Sequence, residues 1–223
     1  MGQRMTQNPP TRRTGRSSGG RRPDPAREAA LRQAALELLA EVGYEALTVE
    51  AVAVRAGAGK ATLYRRWASK ADLVADAFHT MKAAGEPPDT GSLRGDLHET
   101  ALAAAGAEDG MSLKVTIGVA GALDRHPDLR AAFHERFVLP LRARLRAVFD
   151  RAAARGEISA RHDLDLLAEV FPALVLQRSL ITGAPAPLDY MRHVIEAVVW
   201  PLACAPPPHT GPPSPDSAQR RTA

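Results

Sequence analysis

The sequence predicts an all-α protein made of two helical domains. Hydrophobic residues make up 45% of the chain but aromatic residues only 4%, so its core must be built mainly from alanine and aliphatic side chains. Apolar positions recur at three and four residues along most of the chain, the period of one helix face. No convincing run of alternating β-branched residues breaks that pattern. A length of 223 residues suits one large or two small domains, and Pro87-Pro88 marks a hinge. The expected organisation is a basic arm over 1–23, a first domain over 24–84, a second over 92–204 and a proline-rich tail over 205–223.

The first 22 residues carry six arginines and no acid, amid Gly, Ser, Thr and Pro. So little apolar content predicts disorder. The first helix should begin at Asp24-Pro25 and stop at Gly43, burying Leu31, Ala34, Ala35, Leu38, Leu39 and Val42. Thr48 is a natural N-cap for a second helix, and Glu50 places an acid in its first turn, where the helix dipole favours it. Gly57 can adopt the left-handed conformation that ends that helix. Ala53 leaves room for a neighbour, and Leu63 fills the corner. A third helix is expected from about Lys60 to Trp67. Ser69-Lys70-Ala71-Asp72 reads as a capping box opening a fourth, with a stripe of Leu73, Val74, Ala77, Phe78 and Met81.

Helices two and three, joined by a tight glycine turn, have the spacing of a helix-turn-helix. From Arg55 to Lys70 the chain holds five bases (Arg55, Lys60, Arg65, Arg66, Lys70) and no acid. Such a face should attract phosphate, and the partner implied is double-stranded DNA. The longer-range charge pattern agrees. Residues 1–92 hold fourteen Lys and Arg against ten Asp and Glu, while 93–223 hold fifteen of each, so the whole net charge of +4 belongs to the first part.

Ala53-x-x-x-Gly57 followed by Thr62-Leu63-Tyr64-x-x-Trp67-x-Ser69-Lys70-x-x-Leu73 resembles the DNA-binding domain of the tetracycline-repressor (TetR) family, over about residues 26 to 81. The resemblance implies that the third helix enters the major groove, with Lys60, Ala61, Thr62, Arg65 and Arg66 near bases or phosphates. It implies phosphate contacts for Tyr64, Thr48 and Lys70, the last two at helix N-termini that already favour anions. Leu63 and Trp67 are assigned to packing. Gly59 stands where the family usually has a polar cap, and glycine caps slightly less well. Arg65 and Arg66 could alternatively be a solvated face, and Tyr64 a half-buried core residue.

Other chemistries find little support. Gly57-Ala58-Gly59-Lys60-Ala61-Thr62 is not a phosphate-binding loop, because Val54 and Ala61 occupy the places of its first glycine and its hydroxyl residue. The single Cys204 excludes an internal disulfide and a cysteine-based zinc site. Seven histidines lack ligand-like spacing, and no nucleophile constellation is evident. No cofactor and no catalysis are therefore expected. With neither a signal-peptide core nor an apolar run long enough to span a bilayer, the expected location is cytoplasmic, with no membrane partner.

Past the hinge, five helices are expected: Ser92 to about Glu108, Ser112 to Arg125, Asp128 to Arg155, Asp163 to Thr182, and Leu188 to Ala203. Pro140 and Pro172 fall inside two of them and should bend the axis. In the second helix the apolar stripe is Leu113, Ile117, Ala120 and Leu123. The last two helices are apolar on more than one side, so one face should meet a second copy. His126-Pro127-Asp128-Leu129-Arg130 with Phe133 and Phe137, then Phe171-Pro172 and Thr182-Gly183, is similar to one group of C-terminal domains in the same family. That likeness implies a C-terminal helical effector-binding and dimerisation domain, homodimeric through its last two helices. Candidate pocket residues are Val115, Ile117, Val119, Phe133, Phe137, Leu141, Phe171, Leu174 and Arg178, the last able to anchor an anion or to pair with Glu169. The expected function is an effector-released repressor of an inverted-repeat operator, the effector an unknown small molecule. Alternatives are a DNA-binding activator or architectural protein and, remotely, a nucleotide-binding enzyme. The arginine arm could enter a minor groove or serve only as a solubilising tail.

Overall fold

A computed structural model describes residues 24–82, 85–106 and 110–206; the expected arm, and most of the expected tail, lie outside these. Among the described residues every regular element is helical. Helix α1 spans Pro25–Ala46. Its Asp24 side chain accepts bonds from the Ala26 and Arg27 amides, and at Gly43 (φ 78°) the backbone leaves helical geometry before one last turn. Val42 is half exposed, whereas Leu36 and Tyr44 are buried. The break at Gly43 redirects the last turn so that Tyr44 points inward, while Val42, just before it, stays half exposed at the helix end.

Helices α2 (Val49–Arg55), α3 (Lys60–Arg66) and α4 (Lys70–Lys82) follow. They pack on α1 through Leu31, Leu39, Leu63, Trp67, Leu73 and Phe78, all fully or almost fully buried. The second half of the chain contributes α5 (Leu93–Gly106), α6 (Gly110–Ala122), α7 (Pro127–Phe133), α8 (Leu139–Ala154), α9 (Leu164–Thr182), α10 (Leu188–Val194) and α11 (Trp200–Cys204). A π-helical turn, His134–Val138, joins α7 to α8, and another, Ile195–Val199, joins α10 to α11. Each is followed two residues later by a proline, Pro140 and Pro201. Proline supplies no amide hydrogen; the wider turn accommodates that missing donor without breaking the rod. The long helices therefore continue with one extra residue inserted.

Two apolar cores result, and their division does not follow the hinge. One joins α1–α4 to Val115, Val119 and Ala122 of α6 and Leu129 of α7. The other joins α5 to α8, α9, α10 and α11. Helix α6 buries Val115, Val119 and Ala122 against this first core, while Ile117 is 40% exposed. Of the expected stripe only Ile117 is turned to solvent; Leu113, Ala120 and Leu123 line the cavity described below.

Candidate nucleic-acid interface and ligand cavity

The turn between α2 and α3 is closed by backbone bonds from Gly57 N to Val54 O and from Ala58 N to Ala53 O, 3.1 and 2.9 Å, with Gly57 left-handed at φ 59°. Thr48 Oγ1 accepts the Ala51 amide at 3.2 Å, completing the expected N-cap of α2. The cap of α3 is Gly59, which offers no side-chain bond. Leu63 is the one buried residue of α3, and Trp67 at its C-cap is also buried. Since α3 is held by this single row, the rest of its surface faces outward: Lys60, Ala61, Tyr64, Arg65 and Arg66 are exposed, and Thr62 is partly so.

Trp67 and α4 fix the angle of that helix. Trp67 Nε1 donates to Asp76 Oδ2 at 2.9 Å, and Arg32 Nε of α1 donates to the same oxygen at 2.8 Å. Burial works against the Asp76 charge, but the bonds from Arg32 and Trp67 outweigh it and hold the carboxyl below its ordinary value. The Arg32 and Arg66 guanidinium groups lie 5.6 and 5.8 Å from the Trp67 ring centroid.

The cationic field is weaker than the sequence window suggests, because folding brings acids from elsewhere. Arg55 makes a two-pronged bond to Glu41 of α1, Lys60 pairs with Glu50 at 2.7 Å, and Arg66 pairs with Glu28 at 3.2 Å. Arg65 makes no ion pair among the described residues. Exposed pairs of this kind are weak and screened, so a phosphate can take either partner's place.

Lys70 departs from expectation. Its ammonium turns inward, donating to the carbonyls of Tyr44 and Leu47 at 2.9 and 3.1 Å and lying 4.1 Å from the Tyr44 ring centroid. The orphan carbonyls at the end of α1 need a donor, and Lys70 supplies it. Burial lowers its pKa. What remains open to an anion at this position is the start of α4, where Ser69 Oγ accepts the Asp72 amide at 3.0 Å in the expected capping box.

A cavity of about 420 Å³ opens beside this unit, walled by α4, α5, α6, the α7–α8 rod and α9. Five of the nine expected pocket residues line it: Val119, Phe133, Phe137, Leu141 and Phe171. The other four do not. Val115 is wholly buried against the first core and Ile117 faces solvent. Leu174 packs on the second core, its carbonyl accepting the Tyr190 hydroxyl at 3.4 Å. Arg178 stacks 4.3 Å from the Tyr190 ring centroid, and Glu169 pairs with Arg142 instead.

Sequence reasoning missed Phe78 and Lys82 of α4, Thr100 of α5, Thr116 of α6 and Ser179 of α9. Phe78 was legible only as core. It contacts Phe133 and Phe137 edge-on at centroid distances of 5.0 and 4.7 Å. Ser179 stands four and eight residues after Val175 and Phe171, a spacing that could have revealed it. The π turn adds Val138 and Arg142 to the wall beside Phe137 and Leu141, widening the arc that faces the cavity. From the same turn Arg136 reaches Asp72 of α4 at 2.8 Å.

A helix-turn-helix with an outward third helix, docked on a helical domain that encloses an apolar cavity, defines a two-domain DNA-binding regulator. A sequence model described as bacterial regulatory proteins, tetR family, matches residues 31–77, and one described as a tetracyclin repressor-like C-terminal domain matches residues 87–198. A Mycobacterium tuberculosis HTH-type transcriptional regulator is 36% identical over 176 residues, covering 78% of this chain and 87% of the relative. The DNA-binding transcriptional repressor TetR of Mycobacteroides abscessus is 32% identical over 165 residues, 73% of this chain and 85% of its own. Among solved structures, the TetR family transcription regulator SCO0332 superposes with a TM-score of 0.64 at 27% identity, over 81% of this chain and 99% of that one. The chain belongs to the tetR family of bacterial transcriptional regulators and is not an enzyme. No helix among the described residues is long and apolar enough to cross a membrane.

Proposed function

We propose that the protein is a homodimeric repressor of an inverted-repeat operator, released when a small molecule fills the cavity. The observation that carries this reading is the position of α4. The helix that holds Trp67 through Asp76 also contributes Phe78 and Lys82 to the cavity wall, so the fit of a ligand bears on the angle of the reading helix. The DNA contacts would come from Lys60, Ala61, Thr62, Tyr64, Arg65 and Arg66 of α3. Thr48 and the backbone around Lys70 would act as flanking phosphate clamps. Support for a two-fold assembly comes from α9 and α11, where Leu166, Leu176, Leu180, Ile181 and Leu202 are 40–77% exposed. Such apolar faces fit a second copy. The effector acts by preferring the state that cannot hold DNA; a coupling of about 1–3 kcal/mol suffices for several-fold to around hundredfold control.

Selection of bound sequences from a random duplex pool tests the proposal. The expected product is a palindrome with half-sites about 34–36 Å apart or a multiple of that distance. A purified protein that stays monomeric and shows no preference among duplexes at physiological ionic strength would refute it.

A further inference from the structure

The cavity wall is unusually short of available polar groups. Four of the chain's five phenylalanines line it: Phe78, Phe133, Phe137 and Phe171. Thr100 Oγ1 donates to Asp96 O and Thr116 Oγ1 to Ser112 O, both at 2.8 Å, so these hydroxyl hydrogens are spent on their own helices. Arg142 pairs with Glu169, and neither Lys82 nor Arg144 lacks a partner. Ser179 differs. It is only 5% exposed, it lines the cavity, and among the described residues its hydroxyl makes no hydrogen bond while its oxygen keeps some open surface. A hydroxyl open to a cavity, with its hydrogen not spent on its own helix, is free to bond a water or a ligand atom there. Binding sites for small molecules typically combine an apolar wall with a few such groups, which fix orientation.

We infer that the cavity takes an uncharged, largely hydrocarbon molecule carrying one hydroxyl or carbonyl oxygen, which bonds to Ser179 Oγ while its body packs among the four phenylalanines. This deepens, and rests on, the reading of the cavity as the effector site. Two other classes fit this wall less well. A sugar-like or nucleotide-like ligand would leave most of its polar groups unpaired against this wall. An anion would have to compete for cations that already have partners.

Three fluorescent compounds that differ in one substituent provide the test: pyrene, 1-hydroxypyrene and 1-pyrenebutyrate, titrated into the full chain without DNA. The expected result is that 1-hydroxypyrene binds about three- to tenfold tighter than pyrene, as one added hydrogen bond allows. Ser179→Ala should bring the two within twofold of each other. Leu141→Trp, which fills the cavity, should weaken both more than tenfold. A preference for 1-hydroxypyrene that survives Ser179→Ala overturns the assignment, as does failure of both neutral compounds to bind. Tighter binding of 1-pyrenebutyrate than of 1-hydroxypyrene would replace the neutral class with an anionic one. Operator retention, measured separately, keeps the two readings apart. Binding through Ser179 without loss of DNA removes the regulatory role and leaves the ligand class standing. DNA release by some other compound, with both neutral pyrenes ignored, does the reverse.

Discussion

Asp76 receives hydrogen bonds from Trp67 and Arg32 on one oxygen, and so ties α1, α3 and α4 together. Its carboxyl is held below the ordinary value: burial raises it, and the two hydrogen bonds more than compensate. In the unfolded chain the group titrates at its ordinary value, about 3.8. Its contribution to stability is therefore complete above that pH and is lost as the pH falls toward the lower folded value. Trp67 fluorescence, followed during acidification, should report loosening that begins below about pH 4, and Asp76→Asn should flatten that part of the profile. Lys70 and Arg65 separate stability from recognition. Lys70→Met removes a charged donor from two carbonyls and should cost about 2 kcal/mol in urea unfolding. Arg65→Ala should change stability by no more than about 0.5 kcal/mol yet lower operator affinity and relax base preference. The inward turn of Lys70 was not legible, because a lysine in a capping sequence says nothing about which carbonyls lie within its reach.

The turn between α2 and α3 is governed by backbone conformation alone. Nothing lies within 4 Å of the place a Cβ would take at Gly57, whose φ is +59°. Gly57→Ala should thus cost about 1–2 kcal/mol from the left-handed strain, with no steric share, and urea unfolding measures it. Helix ends such as Asp24, Thr48, Gly57 and Gly183 could be read from residue type, since each solves a local problem of unpaired amides or carbonyls. Helix rotation could not. The α6 sequence is apolar on several sides, so periodicity could not distinguish Val115 and Val119 from Ile117 as the packing row. The two π turns left no apolar signature either; the proline at 140 suggested a bend, whereas the chain widens a turn just before it, and does the same before Pro201. The acids that offset the cationic window, Glu28, Glu41 and Glu50, lie before it in the chain and approach it only after folding.

At the scale of the whole molecule, exposed leucine and isoleucine on α9 are the test of assembly. Leu180→Glu with Ile181→Glu places charge at two sites that are 40% and 77% exposed, so the subunit should keep its helicity. Sedimentation should show conversion of dimer to monomer, and operator affinity should fall by more than tenfold as the second reading head is lost. Refusal to dissociate would place the interface elsewhere. The shared first core has its own implication. Because Val115, Val119, Ala122 and Leu129 complete the packing of α1–α4, the reading head is not a detachable cassette. A fragment ending near residue 82 would uncover a flank of Leu39 and its neighbours, at roughly 1.5–3 kcal/mol for each large side chain left bare. A chimaera that borrows this head must bring α6 and α7 with it, so the operator preference of this chain cannot be moved to another scaffold by its first 82 residues alone.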